Sequence, residues 1–195
     1  MPTATLQQDA LELEISAKID SHAAGYREMP LPKASLEGPV VARLQKEHTL
    51  LETLCDSLSK QLAELDRGSQ YETSQLHKNF EPLLQRRQHY AEALRICKVF
   101  AELAARLDRE INEVKEACVA LAKQFLPNHL PLFEKGLETF QDRCDQVADQ
   151  LDGLETQSHD IQALMPRYEQ WLQWVERFGE ILDERIEALK PGASA

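Results

Sequence analysis

The fold of this chain is decided by Leu137–Leu189, LETFQDRCDQVADQLDGLETQSHDIQALMPRYEQWLQWVERFGEILDERIEAL, where apolar residues recur at alternating spacings of three and four. With Leu137 as a heptad a position, every a and d residue is apolar except Ser158 and Gly179. This spacing keeps an apolar stripe on one side of a helix along its whole length. The stretch therefore predicts a long helix packed against another helix.

Two further helices are predicted before this stretch. A seam with the same spacing predicts a helix over residues 40–66, and a second seam predicts a helix over residues 70–125. In the second helix the register shifts after Cys97, which predicts a local distortion of the packing. Pro82 lies inside the same helix and predicts a kink or a division there. Together the two helices form a first helical hairpin, 40–125.

The clearest break in the chain is LPNHLP, residues 126–131, and a third helix is predicted over 131–190, with a bend near Pro166. A short tail, 191–195, follows. The fold class predicted is therefore all-α, an elongated antiparallel coiled coil or long helical bundle of three main helices.

Residues 1–39 are predicted to be a flexible N-terminal tail because three prolines, Pro30, Pro32 and Pro39, interrupt it. Within the tail one face of a short helix is available, lined by Leu6, Ala10, Leu13 and Ala17.

Composition narrows the class of protein. The net charge of −11 opposes binding to phosphate backbones and anionic lipid, so we expect neither nucleic-acid nor direct membrane binding. The chain has no apolar run long enough to span a bilayer, and its first residues lack the pattern of a signal peptide.

The four cysteines are widely spaced and fall on the helical seams. They are expected to be buried thiols in a reducing compartment, which predicts a cytoplasmic protein.

A second apolar stripe runs along the last part of the third helix, outside the a and d positions. It predicts a partner-binding surface, because a helix with two apolar stripes packs against two neighbours. The first helix of the same chain could cover this stripe instead. The residues assigned to the surface are Trp171, Trp174, Phe178 and Ile181 of this stripe, together with the neighbouring d residue Tyr168.

One alternative is a metal site. The segment around His48, LQKEHTLLETL, resembles the first helix of the hemerythrin family, which implies inward-facing His and Glu ligands in a helical bundle. His77 and Glu81 share one helical face, and His129 and Glu134 have the same spacing. Against this reading, His77 lies beside the seam and prolines flank His129.

No catalytic motif accompanies these patterns. The chain has no glycine-rich phosphate loop and no G-x-S-x-G, and no cofactor is expected. The acidic stretch 134–160 is either a solvated outer face or a surface for a basic partner.

The last third of the chain resembles the small coiled-coil shoulder subunit of dynactin, through QDRC at 141–144 and RYEQWLQWVERFGEIL at 167–182. The second segment is also similar to coiled-coil helices of endoplasmic-reticulum vesicle-tethering proteins. Either resemblance implies a non-enzymatic adaptor within a cytoskeletal or trafficking assembly. Its expected partners are other coiled-coil proteins or further copies of itself.

Overall fold

The computed structural model describes residues 3–68, 73–157 and 159–190. These residues form five α-helices and one 3-10 helix, and none of them lies in a β-strand. The fold is therefore all-α, as predicted. The predicted tail 191–195 lies outside the described residues. The α-helices are α1 (Thr3–Arg27), α2 (Gly38–Gly68), α3 (Ser74–Gln124), α4 (Leu130–Thr156) and α5 (Met165–Leu189), and the 3-10 helix is Pro127–His129.

The chain divides into two compact units, Met1–Lys98 (unit 1) and Val99–Ala195 (unit 2). Unit 1 contains α1, α2 and the first part of α3, and unit 2 contains the rest of α3, the 3-10 helix, α4 and α5. The boundary lies next to Cys97, the last residue of α3 in the core cluster of unit 1. The register shift in the sequence therefore falls where α3 passes from one unit to the other.

The core of unit 1 consists of the predicted seams of α2 and α3 together with one face of α1. The α2 seam is buried at Leu51, Cys55, Leu58, Leu62 and Leu65. The α3 seam is buried at Leu76, Phe80, Leu83, Tyr90 and Cys97.

The predicted flexible tail is wrong for residues 3–27, because these residues form α1, which packs on α2. Its buried face carries Ile15, Ile19 and Ala23, spaced four apart as on one side of a helix. The predicted face was also wrong, since Leu13 is 72% exposed. Pro30 and Pro32 lie after α1, and Pro39 lies in the first turn of α2.

Of the two outcomes predicted for Pro82, a kink or a division of α3, the division does not occur. The helix continues through it from Ser74 to Gln124, although proline removes one helical hydrogen bond. Phe80 and Leu83 on either side are buried, so packing against the rest of unit 1 compensates for the missing bond.

The predicted continuous helix 131–190 is also wrong, because it is divided into α4 and α5. The turn between them has its own hydrogen bonds: Asp160 Oδ1 accepts from the Gln162 amide at 3.1 Å, and the Leu154 carbonyl accepts from the His159 amide at 3.0 Å. Pro166 lies in the first turn of α5, where a missing N–H is tolerated. The proline therefore starts a helix instead of bending one.

The heptad stripe is used differently by the two helices. In α4 its residues are buried, from Phe140 to Leu154. In α5 the buried residues are Trp171, Val175, Phe178 and Leu182, while the a residue Leu172 is 39% exposed. Part of the stripe on α5 is therefore left uncovered.

All four cysteines, Cys55, Cys97, Cys118 and Cys144, are free thiols and are buried, as their seam positions predicted. Among the described helices, none is both long and apolar enough to cross a bilayer.

Candidate partner-binding groove on α4 and α5

The aromatic residues that the sequence assigned to partner binding lie mostly inside unit 2. Trp171 is 0% exposed and Phe178 is 1% exposed. The Phe178 ring meets the ring of Phe140 on α4 edge-on, with 5.6 Å between centroids. The Trp171 ring likewise meets Tyr168 edge-on at 6.4 Å. These contacts belong to a core.

Trp174 is half-buried and faces α3. The Lys115 ammonium lies 5.2 Å from the centroid of its indole ring, and the Cys118 thiol donates to its backbone carbonyl at 3.9 Å. Ile181 is also half-buried. The cover over this stripe thus comes from α3 and α4. The partner role of these residues stays a prediction, but Trp171 and Phe178 are not accessible in this fold.

An open groove of about 560 Å³ lies instead between α4 and α5. We call it the α4–α5 groove. Its apolar lining consists of heptad a and d residues that the unit does not fully bury, together with two that it does. Its lining residues are Leu137, Gln141, Cys144, Asp145, Leu172, Val175, Glu176, Gly179, Glu180 and Asp183.

The rim of the groove is acidic. It carries Asp145, Glu176, Glu180 and Asp183, and no basic residue is among the described residues that line the groove. Glu180 is paired with Arg177 at 2.7 Å, but within the described part of the chain no ion pair involves the other three carboxylates. Negative charge also affects Cys144, a buried residue of the groove lining. Burial, followed by the charges of Asp145 and Glu110, raises the pKa of its thiol to about 11. The groove therefore favours a cationic occupant.

Gly179 lies in the lining of the groove at a heptad a position. A Cβ at this residue would stand 3.7 Å from Leu137 Cδ2, which is ordinary van der Waals contact. Packing inside the unit therefore does not require glycine, although glycine in a helix costs about 1 kcal/mol relative to alanine. Its absent side chain leaves the backbone open to close approach from outside.

The opposite side of α4 is fixed to α3 by an ionic cluster. The guanidinium of Arg143 donates to Glu110 at 3.0 Å and to Glu113 at 2.8 Å, and Arg106 lies 3.8 Å from Glu110. These two glutamates raise the pKa of Arg143. Because α3 holds this side, the face of α4 toward the groove stays open.

The structure does not assemble the candidate metal ligands. His48 is half-buried on α2, while His77 and Glu81 are exposed on α3. His129 belongs to the 3-10 helix and Glu134 is exposed on α4. Over the described ranges, no three His, Cys, Asp or Glu side chains lie close enough together to hold a metal.

His77 has a different partner. Its Nε2 lies 3.1 Å from Asp66 at the end of α2, and Thr73 donates to the same carboxylate. Two hydrogen bonds lower the pKa of Asp66, and the one from Thr73 has a larger effect than the one from His77. The pair therefore joins the facing ends of α2 and α3.

The acidic rim is the part of the site that sequence reasoning missed. Glu176 and Asp183 occupy e positions beside the seam, where flanking charges set partner choice. That signal was present in the sequence, but only the fold indicates which stripe stays uncovered.

Comparison with protein-family models, with curated proteins and with solved structures gives no match to this chain. The class that the fold and the groove define is an all-α protein of two helical units with an acidic groove on the second.

Proposed function

We propose that this protein is a non-enzymatic adaptor that binds an amphipathic, basic helix of a partner protein in the α4–α5 groove. The observation that carries the proposal is the combination of an uncovered heptad stripe with carboxylates along its rim. An amphipathic helix recognised by a groove uses apolar anchors at such spacings, and flanking charges decide its identity.

The size of the groove sets the length of the occupant. On α5 it extends from Leu172 to Asp183, which is roughly 16 Å of helix at 1.5 Å per residue. A partner helix of about three turns covers that distance. Gly179 lets the backbone of this helix come close, and Leu172 supplies apolar contact.

The charge of the chain argues for a different protein as the occupant rather than a second copy. The whole chain carries −11, so a second copy would bring further negative charge to an acidic rim. The proposed setting is a cytoplasmic assembly of the cytoskeletal or trafficking type, which rests on the resemblance of residues 141–144 and 167–182 to subunits of such assemblies.

The test uses a labelled helical peptide of 14 residues with Leu at a and d positions and Lys at e and g positions. Fluorescence anisotropy against the full chain should give saturable binding that weakens as salt is raised. The same peptide with Glu in place of Lys should bind at least tenfold more weakly.

A matched pair of variants locates the peptide. Glu176→Lys with Asp183→Lys reverses two rim charges seven residues apart. Asp142→Lys with Asp149→Lys makes the same change at exposed positions of α4 outside the groove. Each lost attraction costs about 0.5–1 kcal/mol and each new repulsion about as much again. Over the two residues this is about 2–4 kcal/mol, so the rim variant should lose about thirtyfold or more in affinity.

Three outcomes would contradict the proposal. The lysine peptide could fail to bind, or both double variants could lose affinity equally. Sedimentation could also show a dimer of the chain that the rim variant dissociates, which would make a second copy the occupant.

A further inference from the structure

Unit 1 contains a buried guanidinium that has no carboxylate partner among the described residues. Arg86 on α3 is 7% exposed, and among the described residues no ion pair involves it. Its Nη1 donates to the Met29 carbonyl at 3.2 Å and its Nη2 to the Pro30 carbonyl at 2.5 Å. The rings of Tyr26 and Tyr90 lie 5.8 and 5.4 Å from its central carbon.

These contacts leave the cation incompletely satisfied. A guanidinium has five N–H donors, and Nε is buried with no hydrogen-bond partner in the described part of the chain. Carbonyls and ring faces stabilise a cation, but they carry no negative charge. A buried charge without a counter-ion is costly, and a carboxylate is the group that a guanidinium binds best.

Arg86 lines a pocket of about 650 Å³ formed with α2 and the connection between α1 and α2. The volume is within the range of about 300–1,000 Å³ typical of small-molecule sites. Apolar side chains, including Leu31, Val40 and Leu44, form much of its wall.

The charges of this pocket oppose those of the whole chain. Lys33 and Arg43 line it together with Arg86, against the single carboxylate of Glu47 among the lining residues. Lys33 and Arg43 are exposed, and no ion pair within the described ranges involves either. A cationic pocket in a chain of net charge −11 is a local exception that attracts an anion.

We infer that the Arg86 pocket binds an amphipathic monocarboxylate, with its carboxylate at Arg86 and its apolar body against Leu31, Val40 and Leu44. Lys33 and Arg43 attract the anion at the mouth of the pocket. The N–H groups of Arg86 that the Met29 and Pro30 carbonyls do not use donate to the carboxylate oxygens. This site lies in unit 1 and is independent of the α4–α5 groove.

The probe is decanoate, compared with decanol, which has the same chain without the charge, and with acetate, which has the charge without the chain. Titration of the full chain, followed by calorimetry and by backbone amide NMR shifts, should give one saturable site for decanoate. The shifts should centre on residues 29–35 and 86–90. Decanol and acetate should each bind at least tenfold more weakly.

Two variants and one control variant test the assignment. Lys33→Gln with Arg43→Gln should weaken decanoate binding about threefold to tenfold, while Lys46→Gln with Lys60→Gln removes the same charge elsewhere on α2 and should leave it unchanged. Arg86→Gln should abolish the preference for decanoate over decanol. If Arg86→Gln fails to fold, the comparison of Lys33→Gln with Arg43→Gln against its control still tests the site.

The inference is overturned if decanoate does not bind, or if decanol binds as tightly. It is also overturned if Lys33→Gln with Arg43→Gln binds decanoate like the native chain, or if Lys46→Gln with Lys60→Gln weakens binding as much.

Discussion

Replacement of Trp171 by alanine should destabilise unit 2 more than any surface change on α5. The side chain is 0% exposed, and an indole ring buries roughly 150–250 Å². At about 25 cal/mol per Å² the lost burial is about 4–6 kcal/mol, an upper value because the unfolded chain is not fully extended. Truncations of this kind cost about 3–5 kcal/mol. The melting temperature should fall by roughly 15 °C or more.

Trp174→Ala is the matched comparison, three residues away on the same helix. Its ring is half-buried, and the Lys115 contact at 5.2 Å contributes about 0.5–1 kcal/mol. We expect a loss of about 1–2 kcal/mol, well below that of Trp171→Ala.

Urea unfolding followed by tryptophan fluorescence measures these losses in the intact chain. Both tryptophans belong to unit 2, so in each variant the remaining indole reports that unit alone. Trp171→Phe refines the measurement, because Trp171 Nε1 is buried without a partner among the described residues. Phenylalanine removes that polar group together with some area, so its loss should stay below about 1.5 kcal/mol. Equal losses for Trp171→Ala and Trp174→Ala would refute the assignment of Trp171 to the core.

Three further outcomes are expected. Ile19→Ala should cost unit 1 about 2–4 kcal/mol in a denaturation followed by circular dichroism, because Ile19 is 0% exposed, whereas Leu13→Ala should cost under about 0.5 kcal/mol; equal losses would contradict the packing of α1. Gly179→Ala should stabilise unit 2 by about 0.5–1 kcal/mol and weaken the binding of the lysine peptide. Gly153→Ala, where an added Cβ would have no neighbour within 4 Å, should stabilise α4 without affecting peptide binding. A loss of stability in Gly179→Ala would show that the added methyl group clashes. Burial raises the pKa of Cys144 from 9.0 to about 11, so between these pH values the folded state keeps a proton that the unfolded state has lost. The free energy of unfolding should therefore hold its full value below pH 9 and fall by about 2 kcal/mol toward pH 11, less steeply in Cys144→Ala. A free energy of unfolding that does not change over this range would contradict the burial of the thiol.

The sequence predicted the cores of α2, α3 and α4 because each carries one dominant stripe, such as Leu51 to Leu65 on α2. It did not predict α1, since apolar residues there are spread over several faces. Leu13 and Ile15 lie on different faces of α1, and the sequence does not indicate which face is buried. In the fold the face with Ile15 packs on α2.

The division between α4 and α5 was missed for a related reason. The heptad pattern continues without interruption through the residues that connect α4 and α5. Ile161 therefore fits a d position in the sequence, although in the fold it is a buried residue of the turn. The site was missed because a stripe stays open only where other helices fail to cover it. That depends on α3, which contacts Trp174 and leaves Leu172 exposed.

The connection between α1 and α2 is positioned by α3, and this has a consequence for the order of folding. Arg86 holds the carbonyls of Met29 and Pro30, 57 and 56 residues away in the chain, and the Cys97 sulfur accepts from the Ser35 amide, 62 residues away. Contacts between such distant residues require closure of a long loop, which slows folding. We therefore expect the connection to reach its final path only after α3 has docked, because α1 and α2 alone do not contain Arg86 and Cys97.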